Sequence, residues 1–222
     1  MVDIIPAILT VSITELTDKV KRVNDASFME GVNVRKIQID IIDGVYVDNR
    51  TLDPSSIANI DTDLGIDFHL MVKEPVSWVE KCATAGADRI IGQIEMMKDQ
   101  IEFVGKVQET GLYVGLAVDL ETPISKLDPT ILSNVDVVLL MAVKAGWGGQ
   151  AFDKRVLEKI EELDKIRARD STPFKICIDG GETEDVIDDS YYAGADEIVI
   201  GQRLFNGDLA ENIKKFEEAS HG

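Results

Sequence analysis

Short apolar runs alternate with amphipathic segments from one end of this 222-residue chain to the other, and that alternation restricts the fold more than any other feature. The β-type runs fall at 4–9, 34–41, 66–71, 89–94, 113–118, 135–141, 174–178 and 197–200. Helical periodicity predicts helices over 13–24, 76–85, 100–110, 154–167, 183–193 and 209–218. Runs without a polar face suit strands buried on both sides in a parallel sheet. Strict βα alternation then calls for right-handed crossovers. Eight strands and about eight helices in a chain of this length fit a closed (β/α)₈ TIM barrel, an α/β fold, better than an open sheet. An internal echo agrees. Ala85-Gly-Ala-Asp-Arg-Ile-Ile-Gly-Gln93 nearly repeats as Ala193-Gly-Ala-Asp-Glu-Ile-Val-Ile-Gly-Gln202, close to half a chain length away. In each copy the first glycine is expected to end a helix in the left-handed conformation. No linker interrupts the pattern, so residues 1–222 read as a single barrel domain.

Charge narrows the partners. Lys and Arg number 23 against 41 Asp and Glu, a net charge of −18. Such a surface repels nucleic acid and anionic membranes. It leaves open a small phosphorylated ligand, because backbone N–H groups bind anions whatever the net charge. No apolar run approaches the roughly 20 residues that span a bilayer. The segment Met1-Val-Asp-Ile-Ile-Pro6 lacks a signal-type pattern, which predicts a cytoplasmic protein. Cys82 and Cys177 have no metal-type spacing and read as core thiols.

Three apolar runs end on side chains able to move protons or hold a metal: Lys36-Ile-Gln-Ile-Asp40, Ile66-Asp-Phe-His69 and Lys175-Ile-Cys-Ile-Asp179. In a parallel barrel the strand C-termini share one face, so Asp40, His69 and Asp179 would converge there. Buried carboxylates are costly unless something neutralises them, which points to a metal, a substrate or each other. Oxygen and nitrogen donors without thiolate suit Mn, Mg, Co, Fe or Zn. Glycines mark a second pattern. Gly146-Trp147-Gly148-Gly149-Gln150, Gly180-Gly181 and Gly201-Gln202 follow strands six, seven and eight, where barrels commonly bind phosphate. Ser220-His221-Gly222 reads as a tail, so His221 carries no functional weight.

These residues resemble the ribulose-phosphate 3-epimerase family, through Ile5-Pro-Ala-Ile-Leu9, Asp40-Ile-Ile-Asp-Gly44, Asp67-Phe-His-Leu-Met71, Met141 through Gln150, Ile178-Asp-Gly-Gly181 and Ile200-Gly-Gln-Arg-Leu-Phe205. The resemblance spans nearly the whole chain and implies the ribulose-phosphate-binding type of barrel. It implies an isomerase acting on a small phosphorylated sugar, either ribulose 5-phosphate or a six-carbon analogue. One divalent metal ion would be held by two histidines and two aspartates. Carried over, Asp40 and Asp179 become the proton-transfer pair, His69 the second metal histidine, and Gln38 stands in the place of the first. Met71 and Met141 would wall the reacting carbon, and Gly146, Trp147, Gly148 and Gly149 would form a lid. Gly180, Gly181, Gly201 and Gln202 would bind phosphate. Family barrels are often homo-oligomers.

The pattern breaks in places. Gln38 is a poorer ligand than histidine, which predicts weaker metal binding tilted toward Mn²⁺ or Mg²⁺. Ala7 replaces a serine, Gln202-Arg203 replaces small residues, Lys144-Ala145 replaces Asn-Pro in the lid, and Val45 stands where histidine is frequent. Two alternatives follow. One is a vestigial phosphosugar-binding barrel whose chemistry was lost with that histidine and serine. The other is a phosphosugar decarboxylase, although Gln38-Ile-Asp40-Ile-Ile-Asp43 lacks the lysine such enzymes carry.

Overall fold

Alternate side chains along each strand face opposite sides of the sheet, and that period divides the core in two. The computed structural model describes residues 2–58 and 60–220. Strands β1 (Asp3–Ile8), β2 (Lys36–Ile42), β3 (Gly65–Met71), β4 (Arg89–Gln93), β5 (Tyr113–Val118), β6 (Val137–Met141), β7 (Lys175–Asp179) and β8 (Glu197–Ile200) pair in sequence order. Every pairing is parallel, and β8 closes on β1. Outward residues such as Ile4, Ile39, Phe68, Ile90 and Ile176 join one core cluster with the helices. Inward residues such as Ile5, Ile91, Val137, Leu139 and Val199 fill the barrel as a separate cluster. That interior is tight enough that a Cβ on Gly115 would meet Val137 at 2.6 Å.

Helices α1 (Ile13–Ser27), α2 (Val79–Thr84), α3 (Gln100–Glu109), α4 (Arg155–Asp170), α5 (Glu184–Ala193), α6 (Gln202–Phe205) and α7 (Leu209–Ala219) cover the outside. Ser12, Asp99 and Asp208 cap three of them by accepting backbone N–H groups of the first turn, which satisfies donors that a helix start otherwise leaves orphaned. Two crossovers depart from the expected set of about eight helices. The β2–β3 connection holds only the 3₁₀ turn Pro54–Ser56, and the β5–β6 connection only Ile124–Lys126 and Leu132–Asn134. Prolines explain both, because Pro54, Pro123 and Pro129 remove backbone donors and break helical continuation. Gly86 and Gly194, the paired glycines of the internal echo, both take positive φ, 88° and 118°.

The strand starts carry a second polar layer. Arg89 is ion-paired to Asp67 and, at 2.7 Å, to Glu197. Glu197 also accepts from Lys36 at 3.2 Å and Lys175 at 3.0 Å. No helix among the described residues is long and apolar enough to cross a membrane.

Candidate active site

Register decides which side chains meet. Asp40 stands beside His69 across the β2–β3 pairing, and Asp179 beside Met141 across β6–β7. Gln38 lies two residues before Asp40 on the same inward face. Its Nε2 donates to Asp40 Oδ1 at 2.9 Å and to Asp179 Oδ2 at 2.7 Å, so one carboxamide bridges both carboxylates. His69 Nδ1 lies 3.3 Å from Asp40 Oδ1 and 3.6 Å from Asp179 Oδ2. Ligand atoms of Asp40, His69 and Asp179 all fall within 4.8 Å of one another. The strand-end prediction brought these three residues to one point, as the sequence required.

The electrostatics follow from enclosure. Burial raises the Asp40 carboxyl above its ordinary value and the charge of Asp179 adds to that, while the hydrogen bond to His69 pulls the other way. Burial alone would lower His69, but its bonds to Asp179 and Asp40 and their charges hold it up to about 9. Two carboxylates this close favour a proton or a cation between them.

A cavity of about 260 Å³ opens above these groups. Ala7, Met71 and Met141 line its floor with Asp40 and Asp179. Gly146, Trp147, Gly148 and Gly149 line one side, while Gly180, Gly181, Gly201 and Gln202 line another, so the three glycine turns do surround one space. Glycine is required at the β7 turn. Gly180 and Gly181 take φ of 117° and 80°, and a Cβ on Gly181 would fall 2.5 Å from the Phe152 backbone nitrogen. The Gln202 side chain lies against Gly148 and Gly149, and Trp147 is 53% exposed at the rim. Asn49, from the loop after β2, donates to the Gly146 carbonyl at 2.7 Å and ties that loop to the β6 turn. Gln38 and His69 lie beneath the cavity rather than on its wall. His221 lies outside the described residues.

Two buried polar residues escaped the sequence reading. Gln93, at the end of β4, is 0% exposed and places Nε2 3.2 Å from His69 Nε2. Glu182 follows the β7 glycines, is 2% exposed and lines the cavity, with Oε1 lacking a partner among the described residues. Burial, then the charge of Asp179, push its carboxyl well above the usual range. Gln93 carries the same signature as Asp40, a polar residue closing an apolar strand. Glu182 carries none, because a glutamate after Gly-Gly reads as an exposed turn.

With this geometry in hand, known proteins give a consistent comparison. The family model described as the ribulose-phosphate 3 epimerase family matches residues 3–205. A protein named ribulose-phosphate 3-epimerase from Buchnera aphidicola is 33% identical over 97% of this chain and 95% of its own length. One of the same name from Bacillus subtilis is 30% identical over 92% and 93%. Solved structures with the same barrel include KGPDC from Streptococcus mutans, at 10% identity and a TM-score of 0.69 over 100% of this chain and 98% of that one. Orotidine 5'-phosphate decarboxylase from Pyrococcus horikoshii reaches a TM-score of 0.66 at 19% identity, covering 99% of each chain. At such identities the structures speak for the fold alone. Sequence, strand order and the placing of Asp40, His69 and Asp179 agree, and the chain belongs to the ribulose-phosphate 3-epimerase family.

Proposed function

We propose that this isomerase is a metal-assisted 3-epimerase of a ketose phosphate, with ribulose 5-phosphate as the first substrate to test. The reading rests above all on Asp40 and Asp179, which arrive from β2 and β7 to share one site beneath a small cavity. Inverting a carbon next to a carbonyl removes a proton from one face and returns one to the other. A single base cannot serve both faces, so two carboxyls are needed. One takes the substrate proton while the other, protonated, gives its own to the opposite face. The pair ends with its protonation exchanged and is ready for the reverse direction.

The donor set fits a divalent cation. Asp40 and Asp179 offer carboxylate oxygens, and the buried Nδ1 of His69 faces both, 3.3 Å from Asp40 Oδ1 and 3.6 Å from Asp179 Oδ2. Gln38 would turn its carbonyl oxygen inward as a fourth donor, and this oxygen-rich set favours Mn²⁺ or Mg²⁺ over softer ions. A bound ion would supply the Lewis acidity that polarises the substrate carbonyl. Met71 and Met141 form an apolar wall that keeps bulk water from the reacting carbon. The turns at Gly180, Gly181, Gly201 and Gln202 would receive the phosphate through backbone N–H groups, with Gly146 to Gly149 as the lid. The cavity volume suits a small substrate.

Gln38 keeps the second reading in view, since its amide already satisfies both aspartates and would compete with a cation in an impaired barrel. Exchange of the substrate α-proton with solvent deuterium, followed by NMR with ribulose 5-phosphate and each metal in turn, separates the two. Exchange with formation of xylulose 5-phosphate is expected. Tight binding of the sugar phosphate without exchange under any metal would establish the impaired barrel instead.

A further inference from the structure

The side chain beside His69 on the neighbouring strand belongs to neither the proton-transfer pair nor the metal donor set. Gln93 ends β4, next to β3, and both Gln93 and His69 are 0% exposed. Their side-chain nitrogens, Nε2 and Nε2, lie 3.2 Å apart. Gln93 Oε1 has no partner among the described residues. A buried carbonyl without a partner is destabilising, so a leucine or methionine would pack here more favourably. Some compensating role is called for.

We propose that Gln93 is a positioning residue that keeps the His69 ring aimed with Nδ1 toward Asp40 and Asp179 in both the metal-free and metal-bound states. The inference rests on the metal reading above. Its physical basis is that a carboxamide carries a donor and an acceptor of nearly the same shape. When Nδ1 alone carries the ring proton, Gln93 donates its N–H to the Nε2 lone pair, and when both nitrogens carry one, Gln93 presents Oε1 to the Nε2 N–H instead. When Nδ1 gives its lone pair to a cation, the proton sits on Nε2 and needs an acceptor. Turning the carboxamide over then presents Oε1 to that N–H. Metal-ligating histidines almost always donate their remote N–H to such a group, and loss of the acceptor typically costs 10–100-fold in metal affinity. A glutamate at 93 would only accept, and it would add a third carboxylate beside two others. Glutamine serves both states without adding charge.

Calorimetric titration of Mn²⁺ into the wild type, Q93M and Q93E tests the role. Nitrogen-15 NMR of the His69 ring in metal-free protein, in an H221A background, supplies an independent readout. Q93M should bind Mn²⁺ at least about tenfold more weakly and show a ring averaging between orientations. Q93E should restore affinity to within about threefold of wild type, because the acceptor for the metal-bound ring is back. Equal affinity in wild type and Q93M, or unchanged ring signals in Q93M, would overturn the proposal. Failure of the wild type itself to bind Mn²⁺ would count against the metal reading, and the ring signals would still judge Gln93.

Discussion

The two ends of the barrel both carry charge inside the ring of strands, and they handle it in opposite ways. At the strand starts, Glu197 gathers Arg89, Lys36 and Lys175, while Asp67 takes the other side of Arg89. Each charge there meets its opposite. At the strand ends, Asp40 and Asp179 face each other with a neutral amide and one imidazole between them. At the first end three cations meet three carboxylates, Asp3 pairing with Lys175 at 2.9 Å as the third, whereas the second leaves negative charge in excess. Charges that cancel among themselves serve the fold, and charges left over are available to a ligand. The glycines divide the same way, since the turns with positive φ that meet the cavity, at Gly146, Gly149, Gly180 and Gly181, all lie at the strand ends.

Substitutions on either side should break this contrast if it is false. The largest effect belongs to Asp179→Asn or Asp40→Asn. Epimerisation should fall by at least about 10³, because each removes one face of a two-base reaction. Thermal stability should hold or rise as like charges separate, and retention of most activity by either variant would sink the two-base scheme.

Glu197→Gln should do the reverse, destabilising the protein by about 3–5 kcal/mol because it removes the shared partner of Arg89, Lys36 and Lys175 while the folded fraction keeps its turnover. The pH dependence sharpens the point. Burial works against ionised Glu197, yet Arg89, Lys36 and Lys175 hold its carboxyl down to about 2, against an ordinary 4.5. Its stabilisation is therefore fully present above pH 4.5 and is lost as the pH falls toward 2. Denaturant melts of the wild type across that window should show a loss that E197Q lacks.

Gln38→His comes next. Restoring imidazole should tighten Mn²⁺ or Zn²⁺ binding by at least about tenfold by calorimetry and leave the melting of metal-free protein nearly unchanged. The smallest effect is expected of Glu182→Gln. Burial and the charge of Asp179 push this carboxyl well above the usual range, a direction that favours its neutral form, so the amide should leave KM for the sugar phosphate within about threefold. A tenfold fall in KM would mean that an ionised Glu182 repels the substrate.

What the sequence disclosed follows the same division. All eight strands were legible because their runs are apolar on both faces, whereas the expectation of about eight helices missed the two crossovers that hold only 3₁₀ turns. Asp40, His69 and Asp179 were legible because a charged or imidazole side chain at the end of an apolar run is rare. Gln93 obeyed the same rule, but glutamine does not titrate and so did not stand out. The network around Glu197 was hidden for a different reason. Its members come from β2, β3, β4, β7 and β8, and nothing local indicates that they meet until the register of the closed barrel is fixed.

That network has a consequence for the birth of the protein. Glu197 sits on the last strand, yet it is the common partner of cations on β2, β4 and β7. At about 5–20 residues per second, the ribosome supplies it only seconds to tens of seconds after those cations have emerged. Until then a partial barrel would have to bury Arg89 with Asp67 alone, and it would leave β1 and β7 as open edges. Half-made chains thus lack the shared carboxylate of these cations, and the ring of strands is complete only once β8 is made. The proton-transfer pair obeys the same clock, because Asp40 waits through most of synthesis for Asp179.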